Sequence, residues 1–218
     1  MVCSTNEGLY ANCSRDKTSR FTFLKRYSNK IEKFECDFDC DYLLSEAEKG
    51  EFFSYIAGTI IALLERDRIR DKLSSYGIII DNHTSTLPMK KGLSSSAAVC
   101  VLIATSFNLI YNLNLSMQDI MEIAYQGEMK TPSKCGRMDQ CVAMGSGSIA
   151  LMKFNKRQPC ELQVLECRTT LYFVVADLNA GKNTVTILSS LSSCFPSPAS
   201  HQEVMSLQTL EPLRRDTL

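Results

Sequence analysis

A chain of 218 residues and 24.4 kDa has room for one domain with a substantial core, or for one domain and part of a second. Its 44% hydrophobic and 22% charged residues are a globular composition, and 10 Gly with 6 Pro exclude collagen-like or linker-like sequence. Lys plus Arg equals Asp plus Glu at 24 each, so no net basic excess supports a large nucleic-acid footprint, while a local basic pocket stays compatible.

Ten cysteines stand at 3, 13, 36, 40, 100, 135, 141, 160, 167 and 194. Cys36 and Cys40 are four apart and Cys135 and Cys141 six apart, without the close pairs of a structural zinc site. The first residues, MVCSTNEGLYANCSRDK, carry no long apolar signal segment, so a secreted disulfide scaffold is not expected. The longest apolar stretch, Ala97 to Ala104, is too short to cross a bilayer. These features predict a cytoplasmic chain with free thiols that engages neither membrane nor nucleic acid.

The first 35 residues are polar and weakly patterned, with Phe21, Phe23 and Tyr27 as strand candidates of uncertain register. Acidic and aromatic residues alternate locally over Phe38 to Tyr42. From Glu51 the period changes: Phe53, Ile56, Ile60 and Leu64 recur three or four apart, which predicts a helix with one buried stripe, ended by Lys72 to Gly77. Ile78 to Ile80 is a short strand candidate, followed by a polar turn over Asp81 to Thr86. That turn makes His83 a loop residue. Ala97 to Ala104 is apolar on every face and predicts a helix sunk in the core. Ser116 and Asp119 resemble a capping box, with Met117, Ile120, Met121 and Ala124 as the apolar face of the next helix. A loop over Thr131 to Gly136 precedes a Gly/Ser turn and a strand at Ile149 to Met152, and Leu171 to Ala176 reads as the clearest buried strand. After Cys194 the tail loses periodicity: either disorder, or a strand and helix without their partners.

Two groups of residues carry candidate chemistry. Gly92-Leu93-Ser94-Ser95-Ser96 lies at the amino end of the buried helix, where unpaired N–H groups and the helix dipole favour an anion. Gly92 permits close backbone approach, the serine hydroxyls can donate, and Lys90 and Lys91 supply charge, which together describe a phosphate cradle. The spacing differs from the G-x-x-x-x-G-K-[ST] loop. A serine-rich helix cap is the alternative for the same residues. Glu128 and Asp139 stand eleven apart across the 131–136 loop. Such a loop can bring both carboxylates to one cavity, Glu128 as a Mg²⁺ ligand and Asp139 orienting or deprotonating a hydroxyl. Two solvated acids beside a turn fit that spacing as well. Arg137 either touches phosphate or forms an outward salt bridge.

Pro88-Met89-Lys90-Lys91-Gly92-Leu93-Ser94-Ser95-Ser96-Ala97 resembles the P-x-x-x-G-L-x-S-S-A signature of the GHMP small-molecule kinases. Gly136-Arg137-Met138-Asp139-Gln140 is similar to the G-x-M-D-Q segment of the galactokinase- and arabinokinase-like members, and the resemblance runs from about Glu51 to Asn183. It implies an α+β fold: a GHMP kinase N-terminal domain over 1–155 with a left-handed β-α-β unit, then the start of an incomplete α/β-plait C-terminal domain over 156–218. By the same resemblance, Lys90, Lys91, Gly92, Leu93, Ser94, Ser95, Ser96 and Ala97 wrap the phosphates of ATP. Ser95 and Glu128 hold Mg²⁺, and Asp139 is the catalytic carboxylate for a small-molecule substrate, a monosaccharide in the G-x-M-D-Q members.

The family's P-x-R-x-x-x-x-G-E-H-like segment is not found before Glu51, nor its carboxyl-proximal glycine-rich motif after Asn183. The resemblance therefore predicts a version of the fold shortened at both ends, with exposed apolar surface that favours self-association or another chain. Its alternative function is a catalytically inactive ATP-binding or regulatory remnant of a sugar kinase.

Overall fold

The computed structural model describes residues 2–26, 29–73, 76–133, 135–145, 149–154, 161–166 and 169–174, together with residues 176, 186, 200–202, 204 and 205. It divides into two units, Met1–Lys182 and Asn183–Leu218.

The first unit opens with β1 (Val2–Cys3), β2 (Leu9–Asp16), β3 (Arg20–Arg26) and β4 (Ile31–Asp37), followed by α1 (Cys40–Glu48), α2 (Phe52–Leu64) and α3 (Asp67–Leu73). Then come β5 (Gly77–Ser85), α4 (Ser95–Tyr111), α5 (Met117–Met129), a 3₁₀ turn over Asp139–Met144, β6 (Ile149–Lys153) and β7 (Glu161–Leu165). A four-stranded sheet has the order β2-β5-β3-β4. Within it β3 and β5 are parallel neighbours, joined through β4 and the three helices, while β2–β5 and β3–β4 pair antiparallel. A smaller sheet has the order β1-β6-β7. The mixed α and β architecture is the expected one.

The core lies between the larger sheet and the helices. Phe21 and Phe23 of β3, Ile78 and Ile80 of β5, Ile56, Ile60 and Leu63 of α2, and Ile103 and Phe107 of α4 are fully buried. Phe21 and Phe107 stack with centroids 5.9 Å apart, which fixes α4 against the sheet.

Several local expectations are revised. The helical pattern from Glu51 is two helices, broken at Glu65–Arg66, where Glu65 pairs with Lys130 and Arg66 with Asp119 at 3.7 Å, both on or beside α5. Instead of one stripe, α2 buries every residue from Ile56 to Leu64, because α1, α4 and α5 all pack on it. The polar run Asp81–Ser85 is strand, not turn, and it places His83 on β5. Its polarity is absorbed by partners: Arg26 makes two bonds to Asp81 at 2.6 and 2.7 Å, and the Asn82 amide donates to Tyr10 O at 2.9 Å. Leu171–Val174 is not a buried strand. It pairs with no strand among the described residues, and Tyr172 and Val174 are 90% and 101% exposed. A run of this composition is buried only when a sheet receives it.

Of 156–218, β7 pairs with β6, and most of the rest, including nearly all of the tail after Cys194, lies outside the described residues. In the described part of the second unit, Val204 N–H donates to Ser200 O at 3.1 Å, one helical turn. Among the described residues no helix is long and apolar enough to cross a membrane.

Candidate functional site

The 88–97 segment turns into α4 through three residues with left-handed backbone: Lys90 (φ 60°), Gly92 (φ 82°) and Ser94 (φ 55°). Glycine adopts this region freely, whereas Lys90 and Ser94 are strained there by roughly 1–2 kcal/mol each. Ser94 is the N-cap residue, yet its side chain makes no cap hydrogen bond. The helix-cap reading of the serines therefore fails for Ser94, because an N-cap side chain normally accepts from an extended backbone. Ser95 Oγ instead accepts from the Lys90 N–H at 3.3 Å, folding the loop back over the helix end. Lys90, Lys91 and Gly92 are exposed, Leu93 to Ser96 half-buried and Ala97 fully buried, so the loop presents its charge outward while Ala97 anchors it. Lys25 of β3 adds a cation that sequence patterning missed. Its ammonium lies 3.7 Å from the centre of the Phe52 ring, and burial pushes it below the ordinary lysine range, with Lys90 close enough to contribute.

Glu128 is brought to this region by a crossing of α2 and α5 that only glycine allows. A Cβ on Gly58 would fall 2.3 Å from Gly127 O, and a Cβ on Gly127 would fall 2.6 Å from Thr59 Cα. Backbone contact at Gly127 seats the next residue, Glu128, at 1% exposure. The following loop is tied down by Thr131 Oγ1 donating to Glu128 O at 2.7 Å and by Tyr55 Oη with Ser133 Oγ at 2.7 Å.

The Glu128 carboxylate meets neutral groups. Gln140 Nε2 donates to Oε2 at 3.0 Å, and the Cys135 thiol and Ser96 hydroxyl also hydrogen-bond to it. Burial pushes Glu128 above the usual carboxylate range and outweighs those three bonds; Asp139 is near enough to push the same way. Burial beside Glu128 also pushes the Cys135 thiol up, so it is unreactive as a nucleophile. Asp139, the first residue of the 3₁₀ turn, is half-buried. The structure thus brings Ser96, Glu128, Asp139 and Gln140 together. Ser95, adjacent to Ser96, engages the Lys90 amide. Gly92, Leu93 and Ser94 line a cavity of about 430 Å³ with Thr5, Glu7 and Leu102, and neither Glu128 nor Asp139 is among its walls.

Residues 54–147 match the model of the GHMP kinases N terminal domain. Over this segment, which is less than half of the chain, the sequence is similar to the GHMP kinases. The galactokinase of Chloroflexus aggregans is 33% identical over 120 residues, covering 54% of this chain and 29% of that protein. The galactokinase of Chloroflexus aurantiacus is 34% identical over 120 residues, with the same shares of 54% and 29%. The chain thus spans less than a third of the length of these relatives. The crystal structure of Lactococcus lactis galactokinase complexed with galactose superposes with a TM-score of 0.50 at 17% identity, over 76% of this chain and 41% of that one, a likeness of fold.

All the loop residues from Lys90 to Ala97, with Glu128 and Asp139, lie inside the matched GHMP segment. Arg137 resolves to the outward alternative: it pairs with Glu122 of α5 and lies 4.3 Å over the Tyr125 ring. His83 is exposed and bonds only its neighbour, Nδ1 to Thr84 Oγ1 at 2.9 Å. Among the described residues no three His, Cys, Asp or Glu side chains gather as a metal cluster, and the described cysteines are free thiols. A magnesium ion fits the donor set by its chemistry: it takes hard oxygen ligands, needs only one or two carboxylates, and completes its shell with water and phosphate. Glu128, a buried carboxylate held by neutral partners, matches that need.

Proposed function

We propose that this chain, similar over residues 54–147 to the GHMP kinases N terminal domain, acts as a cytoplasmic sugar kinase that transfers the terminal phosphoryl of ATP to a monosaccharide hydroxyl. The observation that supports this reading most is the meeting of Ser96, at the start of α4, with buried Glu128 and nearby Asp139. It joins an anion-binding helix end to a cation-binding carboxylate and a proton acceptor. The amides at the start of α4, with Lys90, Lys91 and the Gly92–Ser96 loop, bind and orient the nucleotide phosphates. Glu128 and Ser95 hold Mg²⁺, which when bound neutralises charge on the phosphate oxygens. Asp139 orients the acceptor hydroxyl and takes its proton as the new bond to phosphorus forms. Residues 1–155 form the nucleotide domain in this reading, and 156–218 begin a second one.

Sugar-dependent ADP release is the test, with galactose and arabinose among the acceptors. Asp139→Asn keeps size and removes the base, so turnover should fall about 10²–10⁴-fold while ATP·Mg binding persists. Parent-level turnover in that variant across pH would remove Asp139 from the chemistry. ATP·Mg binding without transfer to any sugar would assign a nucleotide-binding role in place of catalysis.

A further inference from the structure

Gln140 follows Asp139 and is 1% exposed. Its Nε2 makes two contacts, to Glu128 Oε2 at 3.0 Å and to Cys135 Sγ at 3.6 Å. Its Oε1 is buried and has no hydrogen-bond partner. The orientation of the amide follows from the carboxylate beside it, since turning Oε1 toward Glu128 would set two acceptors against each other. Oε1 shares its carbon with the nitrogen that holds the carboxylate, so the same amide group carries both. Buried amide oxygens are rarely left unpaired, and one that is calls for an explanation in terms of something that fills it. The sequence pattern marks Gln140 only as the residue after Asp139.

We propose that Gln140 is a positioning residue of the divalent-cation site: Nε2 aims the Glu128 carboxylate, and Oε1 accepts a hydrogen bond from a water of the cation's shell. This rests on the reading of Glu128 as a Mg²⁺ ligand, and it adds a group that does not itself touch the ion. A site with few protein ligands keeps several waters on Mg²⁺, and those waters need acceptors. A buried neutral oxygen fixed next to the ligand carboxylate supplies one without adding charge. Groups that orient a metal ligand commonly change metal affinity about 10–100-fold when lost.

The experiment uses the full chain and Mn²⁺ as the probe, its binding followed by electron paramagnetic resonance of the free ion, in competition with Mg²⁺ and with and without ATP. Three variants are compared: Glu128→Gln, Gln140→Met, which keeps length but neither donates nor accepts in the same way, and Gln140→Asn, which keeps the amide but not the reach. The expected result is near-complete loss of Mn²⁺ binding in Glu128→Gln and an affinity about 10–100-fold lower in both Gln140 variants. Water-proton relaxation should show fewer ordered waters on the Mn²⁺ that the Gln140 variants still bind. A purely structural role would lower their unfolding midpoint and leave the Mn²⁺ affinity of the folded protein within twofold of the parent, which would overturn the proposal while leaving the Glu128 reading intact. If Gln140→Met does not fold, Gln140→Asn decides by the same criterion. Unchanged Mn²⁺ binding in Glu128→Gln, or no binding by the parent chain, would overturn the cation-site reading and this proposal with it.

Discussion

Replacing Glu128 by Gln should stabilise the metal-free protein above mildly acidic pH and remove a distinctive pH dependence. At 1% exposure the carboxylate receives hydrogen bonds only from neutral neighbours, and burial raises its affinity for a proton above that of an ordinary glutamate, about 4.5. The sign follows from proton linkage. Between 4.5 and the raised folded value, the folded protein holds a proton that the unfolded chain has released. Stability therefore falls as pH rises through that window, by at most about 1.4 kcal/mol per pH unit for one proton. Below the window Glu128 is neutral in both states and contributes nothing; above it the penalty is constant. Gln is neutral throughout, so the difference between variant and parent reports the Glu128 charge together with its effect on nearby Asp139.

Urea unfolding of parent and Glu128→Gln from pH 4 to 8 measures the difference directly. The curves should converge at the acid end and separate with the variant on top. Saturating Mg²⁺ should narrow the gap by stabilising the parent alone, by RT ln(1 + [Mg²⁺]/Kd). Parallel curves, or a variant less stable than the parent at neutral pH, would refute the account of Glu128 as a desolvated carboxylate without a compensating charge.

Gly127→Ala should lower stability by about 1–3 kcal/mol, because overpacking at the α2–α5 crossing exceeds the roughly 1 kcal/mol that alanine gains in a helix. The obstacle is backbone, Thr59 Cα at 2.6 Å, and an unchanged urea midpoint would contradict the close crossing. Val174→Asp should change stability by less than about 0.5 kcal/mol, since the side chain is 101% exposed. A large loss in the same urea experiment would restore the buried strand that the composition of 171–176 suggests.

What the sequence made legible was local. The capping box of α5 is present as expected, Ser116 Oγ accepting from Asp119 N–H at 3.2 Å and Asp119 Oδ2 from Ser116 N–H at 3.0 Å, because both partners lie within one turn. The apolar run from Ala97 is helical and buried along most of its length, since an unbroken apolar stretch that long has few other places to go. By contrast α1 was hidden in an alternation of acidic and aromatic residues. Asp39 is its N-cap, accepting from Tyr42 N–H at 2.7 Å, and only Leu43, Glu46 and Ala47 are buried, too few to print a period. β2 was weak for a different reason: it is an edge strand, with no residue fully buried. The strength of 171–176 misled in the opposite direction, since composition reports what a segment would bury and not whether a sheet receives it. For the site, the 88–97 motif located the loop, but the contacts of Ser96 and Gln140 with Glu128 cross 32 and 12 positions of chain, and no local pattern carries them.

Three unfavourable features converge near the amino end of α4. Lys90 and Ser94 hold left-handed backbone, each at roughly 1–2 kcal/mol. Glu128 is buried as an acid among neutral donors, and Gln140 Oε1 is buried without a partner. Each is costly in the free protein, and a random distribution would scatter such costs over the surface, where they are cheapest. A ligand of one charge would relieve only part of them. The amino end of α4 favours an anion, which Glu128 would repel; a cation would relieve the carboxylate but not the helix end. In the reading proposed above, a phosphate chain carrying its own divalent ion would meet both demands together, its phosphates at the loop, its ion at Glu128 and the ion's water against Gln140. That pairing of opposite demands within one helix end is the physical argument for a nucleotide–magnesium complex over either component alone.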